Sequence, residues 1–272
     1  MTETKQRPGH PAWAVFFRAG RVPWLSGSSA QPRLCTARAV DTQPWLTSEA
    51  AVNHATPCCV YPPPMPDRRY AASAATLGAA ARILQFILIL APRLNTPTGW
   101  LIALGRFLGY FSIQMNILVV IAFACIATGS RGPVARLLAR PAAAAGITVW
   151  MLLVALGYEL LLRALIKPQG LNWVADLLLH IIMPVLYVAH WWVWCPKKGL
   201  EWKHAAYWCL VPLAFLGVII VRALAGGGYT YPFLNVSKLG FPPVVGYVVC
   251  LLAGTWVLGV VVVAAARWKG RT

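Results

Sequence analysis

The chain has 272 residues, 59% hydrophobic and 11% charged, with a net charge of +17. Soluble domains carry about 25% charged residues, so this composition excludes an ordinary soluble enzyme and points to a polytopic membrane protein. The basic residues fall between apolar runs, as in loops that meet anionic lipid headgroups, and no nucleic-acid recognition motif accompanies them.

Residues 1–64 are rich in Pro, Ser, Thr and Arg, with scattered Trp and a closing Tyr61-Pro62-Pro63-Pro64 run. They lack the apolar core of a signal peptide. Two readings apply: a disordered tail, or a segment preceding the true start at Met65, where a short basic lead with Arg68 and Arg69 enters the first helix. Residues 65–272 form the transmembrane helical domain.

About six spans are expected in an all-α bundle, each near the ~20 apolar residues a crossing helix needs. The first covers 72–90 and contains Arg82, which either snorkels or faces the bundle. The second covers 100–127 as one helix, with Ser112, Gln114 and Asn116 inside it. A basic gap follows, with Arg131, Arg136 and Arg140. The third covers 143–166 and ends with Glu159 and Arg163, spaced for a structural ion pair.

The fourth, 171–194, is the most unusual, because Asp176 and His180 lie in its middle. Another basic gap holds Lys197, Lys198 and Lys203; the fifth span covers 205–224. The Gly- and Pro-broken stretch 226–243 is expected at an interface, with Tyr229, Tyr231 and Phe233 at headgroup level. The sixth covers 244–266 and runs into Arg267, Lys269 and Arg271. The positive-inside rule then puts both termini and the two basic gaps in the cytoplasm, with His190 and His204 solvated near that surface.

Ionisable groups at the bilayer centre are costly and face protein, water or a partner. Asp176 and His180 are one turn apart on one face, and Tyr187, seven beyond His180, extends that stripe. At 1.5 Å per residue, Ser112 lies about 18 Å into its span and His180 about 14 Å into its own, at similar depths. Ser112 and Asn116 share a face.

One reading is catalytic: Ser112 as hydroxyl nucleophile, His180 as base, and Asp176 or Asn116 orienting the imidazole. A second is a polar bundle core, since hydroxyls in membrane helices commonly bond their own carbonyls or pack helices. A third is a pair of metal ligands one turn apart, but no second cluster completes a metal site. The seven cysteines form no C-x-x-C pair, which supports neither zinc nor a disulfide framework and leaves them as small hydrophobes. No cofactor is expected.

Three motifs carry a family resemblance: Tyr110-Phe111-Ser112, His180 with Pro184 four residues later, and Tyr231-Pro232-Phe233-Leu234. With FSIQMNILV, GYELLLRAL and KPQGLNWVADLLLH, the chain over 72–267 resembles the androgen-induced and androgen-dependent TFPI-regulating proteins, and most of all their bacterial relatives. The animal members are multispanning threonine hydrolases that cleave fatty acid esters of hydroxy fatty acids. The resemblance implies a lipid-ester substrate, a bacterial cytoplasmic membrane, an intramembrane base at His180 and a nucleophile at Ser112. Here Ser replaces the family's Thr: the hydroxyl is kept and a methyl is lost.

The competing class is a non-enzymatic multipass protein: a lipid-binding module, a small transporter or an assembly partner. The chain shows no internal repeat of the transporter kind, and few polar residues line its helices. The discriminating feature is convergence, because an enzyme needs Ser112 and His180 around one apolar pocket that opens toward lipid, whereas a scaffold does not.

Overall fold

The structure is a computed structural model and describes residues 68–270. The expected tail and the start at Met65 lie outside the described residues. Among the described residues, six helices are long and apolar enough to cross a membrane: Arg68–Arg93, Phe111–Thr128, Pro141–Leu162, Leu171–Trp194, Lys203–Gly226 and Phe241–Lys269. The protein is an all-α, multi-pass membrane protein. In hydrocarbon each backbone polar group needs an internal partner, and a helix supplies one within its own segment.

The first helix, α1 (Arg68–Leu90), ends in a 3₁₀ turn, Ala91–Arg93. The second crossing departs from the sequence expectation of one continuous helix. Helix α2 (Gly99–Leu108) stops at Gly109, Tyr110 is extended with φ −99° and ψ 125°, and α3 (Phe111–Thr128) begins anew. The apolar composition continues through the break, so hydropathy does not register it. A side chain from a distant helix packs against the break. Arg222 donates to the Gly105 carbonyl at 2.9 Å, and a Cβ at Gly109 would lie 2.2 Å from its Nη1. Counting depth along one helix therefore fails for Ser112, the second residue of α3. Ile113 shares a buried cluster with Ala81 and Leu179. Gly78 packs level with Val120, so the break at Tyr110 lies near the end of α1, away from its middle.

Helix α3 closes at Gly129 in the left-handed region (φ 66°), with the Ser130 N–H turning back to the Cys125 carbonyl at 2.9 Å. Short α4 (Pro133–Leu138) leads into α5 (Pro141–Gly157), whose last turn widens into a π turn, Tyr158–Leu162. The fourth crossing is α6 (Leu171–Leu177), a π turn at Leu178–Ile182, and α7 (Met183–Trp194). Helices α8 (Lys203–Trp208) and α9 (Leu210–Arg222) make the fifth crossing. After the 3₁₀ turn Pro232–Leu234 and short α10 (Val236–Leu239), α11 (Phe241–Lys269) completes the bundle.

Small residues let the helices approach closely, as is usual where lipid offers no hydrophobic drive. A Cβ at Gly78 would meet Val120 at 2.6 Å and Met183 at 2.7 Å, and one at Gly259 would meet the Ala205 backbone at 2.9 Å. One end of the bundle joins Ala144, Trp191, Trp208 and Ala266 in a single buried cluster, and Tyr70 packs on Trp194 there at 5.1 Å. This is the end with the basic gaps. The opposite end carries the loops around residues 91–98, 163–170 and 228–240.

Two aromatic-rich regions differ from expectation. His190 is buried, 5% exposed, rather than solvated. Its ring is packed by Phe123 at 5.4 Å and Trp194 at 5.7 Å, with the Cys195 sulfur 3.5 Å from Nε2. His204 is half-buried beside Trp208. Tyr231 turns inward, buried among Tyr110, Phe215 and Phe233. Glu159 and Arg163 do pair, at 2.5 Å, on an exposed face.

Candidate functional site

Pro184 sets the local geometry around His180. Proline has no N–H to donate, and the Met183 N–H bonds five residues back to the Leu178 carbonyl. The Leu179 carbonyl thus loses its partner in either helical register, and the turn opens into the π form that carries His180 at its centre. Asn116 repairs the loss: its Nδ2 donates to the Leu179 carbonyl at 3.0 Å and to the Ser112 carbonyl at 2.8 Å. Single π turns often mark functional sites.

His180 Nδ1 lies 3.0 Å from the Asp176 carboxylate and 3.1 Å from the Asp176 backbone carbonyl. Both partners are acceptors, so the proton belongs on Nδ1 and the lone pair on Nε2. The opposite π turn meets this one. Its first residue, Tyr158, stacks on His180 with ring centroids 4.1 Å apart and 12° from parallel.

A cavity of about 600 Å³ opens beside this group, within the range of small-molecule sites. Ser112, Asp176, His180, Tyr158 and Tyr231 all line it. Phe215, Leu216 and Leu251 are among its apolar walls, and Lys167, Gln169 and Asn172 form an exposed polar rim. Along the spans the lining residues belong to the half away from the basic end, apart from Pro212, just short of the middle of the fifth.

Ser112 reaches the cavity because α3 starts there. The Phe111 N–H donates to the Tyr231 hydroxyl at 2.9 Å, while the N–H groups of Ser112 and Ile113 have no acceptor among the described residues. A helix start carries partial positive charge and free donors. Burial pushes the Tyr231 phenol well above its ordinary range, so it keeps its proton.

The structure thus brings Ser112, Asp176 and His180 to one cavity and leaves two expected supporting residues outside its wall. Asn116 is fully buried behind it, holding the His180 turn from the back. Tyr187 packs against Phe123 at 5.7 Å and His190 at 5.8 Å. The stripe expected to join it to His180 assumed a uniform helix. The extra residue of the π turn rotates the downstream residues by about 100°, one residue's step in a 3.6-residue turn.

Sequence reasoning missed Tyr158 and the inward turn of Tyr231. Pro184, four residues after His180, announces the disturbed turn around the histidine; nothing in the sequence announces Tyr158. No group of three or more metal-ligating side chains occurs among the described residues, so Asp176 and His180 are joined by no further ligand there. No family model, curated protein or solved structure matches the chain.

Proposed function

We propose that this protein is an intramembrane hydrolase of lipid esters, with Ser112 as nucleophile and His180 as base. The observation that carries the reading is a hydroxyl and an Asp-held imidazole on the walls of one apolar cavity. A neutral hydroxyl is a poor nucleophile without a base, and the base needs an orienting group. The resemblance over 72–267 assigns the same two positions the same two roles.

The chemistry balances in two steps. As the Ser112 Oγ–carbon bond forms, its proton passes to His180 Nε2 and the carbonyl π pair moves onto oxygen. Collapse of that oxyanion breaks the ester C–O bond, and the leaving alkoxide takes the proton from Nε2. Water then repeats the sequence on the acyl-Ser112 ester, releasing a carboxylic acid and restoring the hydroxyl. Asp176 stabilises the imidazolium that forms in each half. The substrate class is an acyl ester whose chain fills the apolar walls while its polar end meets the Lys167–Gln169 rim.

The same reading puts the basic end in the cytoplasm, of a bacterial cell by the resemblance, with the cavity in the outer half of the bilayer. Membrane lipids are then both solvent and source of substrate.

The test is labelling of purified protein with an acyl-fluorophosphonate probe, together with release of fatty acid from acyl esters of graded chain length. Wild type is expected to label and to turn over. Ser112→Ala is expected to do neither, and His180→Ala to lose about 100-fold or more, the share typical of a general base. Undiminished labelling of Ser112→Ala would sink the assignment. A wild type that binds esters without cleaving them would make the protein a lipid-binding module.

A further inference from the structure

An ester hydrolase needs more than a nucleophile and a base, because the oxyanion formed on attack must be met by preorganised donors. Around Ser112 such donors are present. The N–H groups of Ser112 and Ile113 have no acceptor among the described residues, and both residues line the cavity. Beside them stands Tyr231, whose side chain belongs to a different segment and reaches the same helix start.

Tyr231 has a particular bonding state. Its oxygen accepts the Phe111 N–H at 2.9 Å, which uses the oxygen and leaves the hydroxyl proton to donate. No acceptor for that proton is found among the described residues, and Tyr231 lines the cavity while being only 9% exposed. A hydroxyl that accepts from the positive end of a helix is polarised toward stronger donation.

Resting on the hydrolase reading, we infer that Tyr231 is a catalytic residue whose hydroxyl donates to the ester carbonyl oxygen as it becomes an oxyanion, together with the N–H groups of Ser112 and Ile113. The proton stays on Tyr231 throughout. The electron pair that moves onto the carbonyl oxygen is stabilised there and returns when the C–O bond breaks. The surroundings suit this part. Tyr110 packs on Tyr231 with centroids 6.0 Å apart, and Phe215 and Phe233 close the other sides. The titratable groups elsewhere on the cavity wall are Tyr158, Asp176 and His180, with Lys167 at the rim.

The rival role is purely structural, since the same oxygen caps the Phe111 N–H. Two variants separate the roles. Tyr231→Phe removes both, and is expected to lower kcat by about 100- to 1,000-fold, the usual loss for one oxyanion donor, with KM changed little. A fluorinated tyrosine installed at position 231 ionises at lower pH. Its phenolate still accepts the Phe111 N–H but no longer donates. Activity of that protein is expected to fall as the phenolate absorbance appears, at pH values where wild type remains active and where circular dichroism shows the variant still folded. Wild-type kcat in Tyr231→Phe, or turnover of the fluorinated protein that ignores ionisation, overturns the inference and leaves the Ser112–His180 assignment standing. Absence of any ester turnover by wild type overturns both.

Discussion

Tyr158 and His180 lie face to face, 4.1 Å between ring centroids, although they belong to different spans. Each sits in a π turn, and the Asp176 carboxylate meets His180 Nδ1 at 3.0 Å. The stack fixes the plane of the imidazole while the carboxylate fixes its rotation. An aromatic pair contributes about 0.5–1.5 kcal/mol beyond area burial, so Tyr158→Leu should reduce kcat by about 2- to 12-fold. Tyr158→Phe keeps the stack, loses the hydroxyl and should fall less. Nitrogen NMR of labelled histidine provides a second reading: the Nδ1–H tautomer should dominate in wild type and mix in the Leu variant. Equal spectra and equal rates in both variants would remove Tyr158 from the site.

Asn116 supplies the bond that Pro184 denies to Leu179. Asn116→Ala leaves a buried carbonyl unpaired, which costs about 1–3 kcal/mol. A lower unfolding temperature in detergent is expected, and with it a lower kcat, because the carbonyl belongs to the turn that holds His180. Unchanged stability and turnover would show that the π turn holds itself.

Arg82 faces the bundle and does not snorkel: it is 7% exposed, and neither terminal nitrogen has an acceptor among the described residues. Nη2 lies 3.0 Å from the Cβ position of Gly78, where α1 meets Val120 and Met183. A buried charge left uncompensated at membrane depth is destabilising. Arg82→Met, which keeps the apolar stem, should therefore raise the unfolding temperature. A fall would mean that Arg82 is held by an internal counter-group.

Lys197 lies in the loop beyond α7, with its ammonium over the Trp191 ring at 4.3 Å. Burial, with Lys269 nearby, pulls its pKa from 10.5 down to about 8. The unfolded chain then holds a proton that the folded chain releases, so stability rises with pH from about 8 toward 10.5. Cys195 works the other way: burial lifts its thiol from 9.0 to about 11, which lowers stability above pH 9. Between pH 8 and 9 the lysine effect stands alone, and melting curves there should climb in wild type and flatten in Lys197→Met. A wild-type curve that is already flat would refute it.

The spans were legible because a bilayer demands long apolar runs, and all six emerge, the second shortened by its break. Asp176 and His180 were legible because charge at such depth is rare. The broken second crossing was not, since its apolar composition is continuous and the side chain packed against it, Arg222, is more than a hundred residues away. Tyr158 was invisible for a related reason: its value depends on two irregular turns meeting, which no single-helix periodicity encodes. The displacement of Tyr187 from the His180 stripe comes from the same irregularity.

The cavity lies mainly in the half of the bundle away from the basic end. A lipid sampling it from the side would come from one leaflet, with its headgroup already on the correct face of the bilayer and no flip required. Vesicles carrying the same ester in one leaflet or the other would then differ as substrates, and the protein would read the transverse asymmetry of its own membrane.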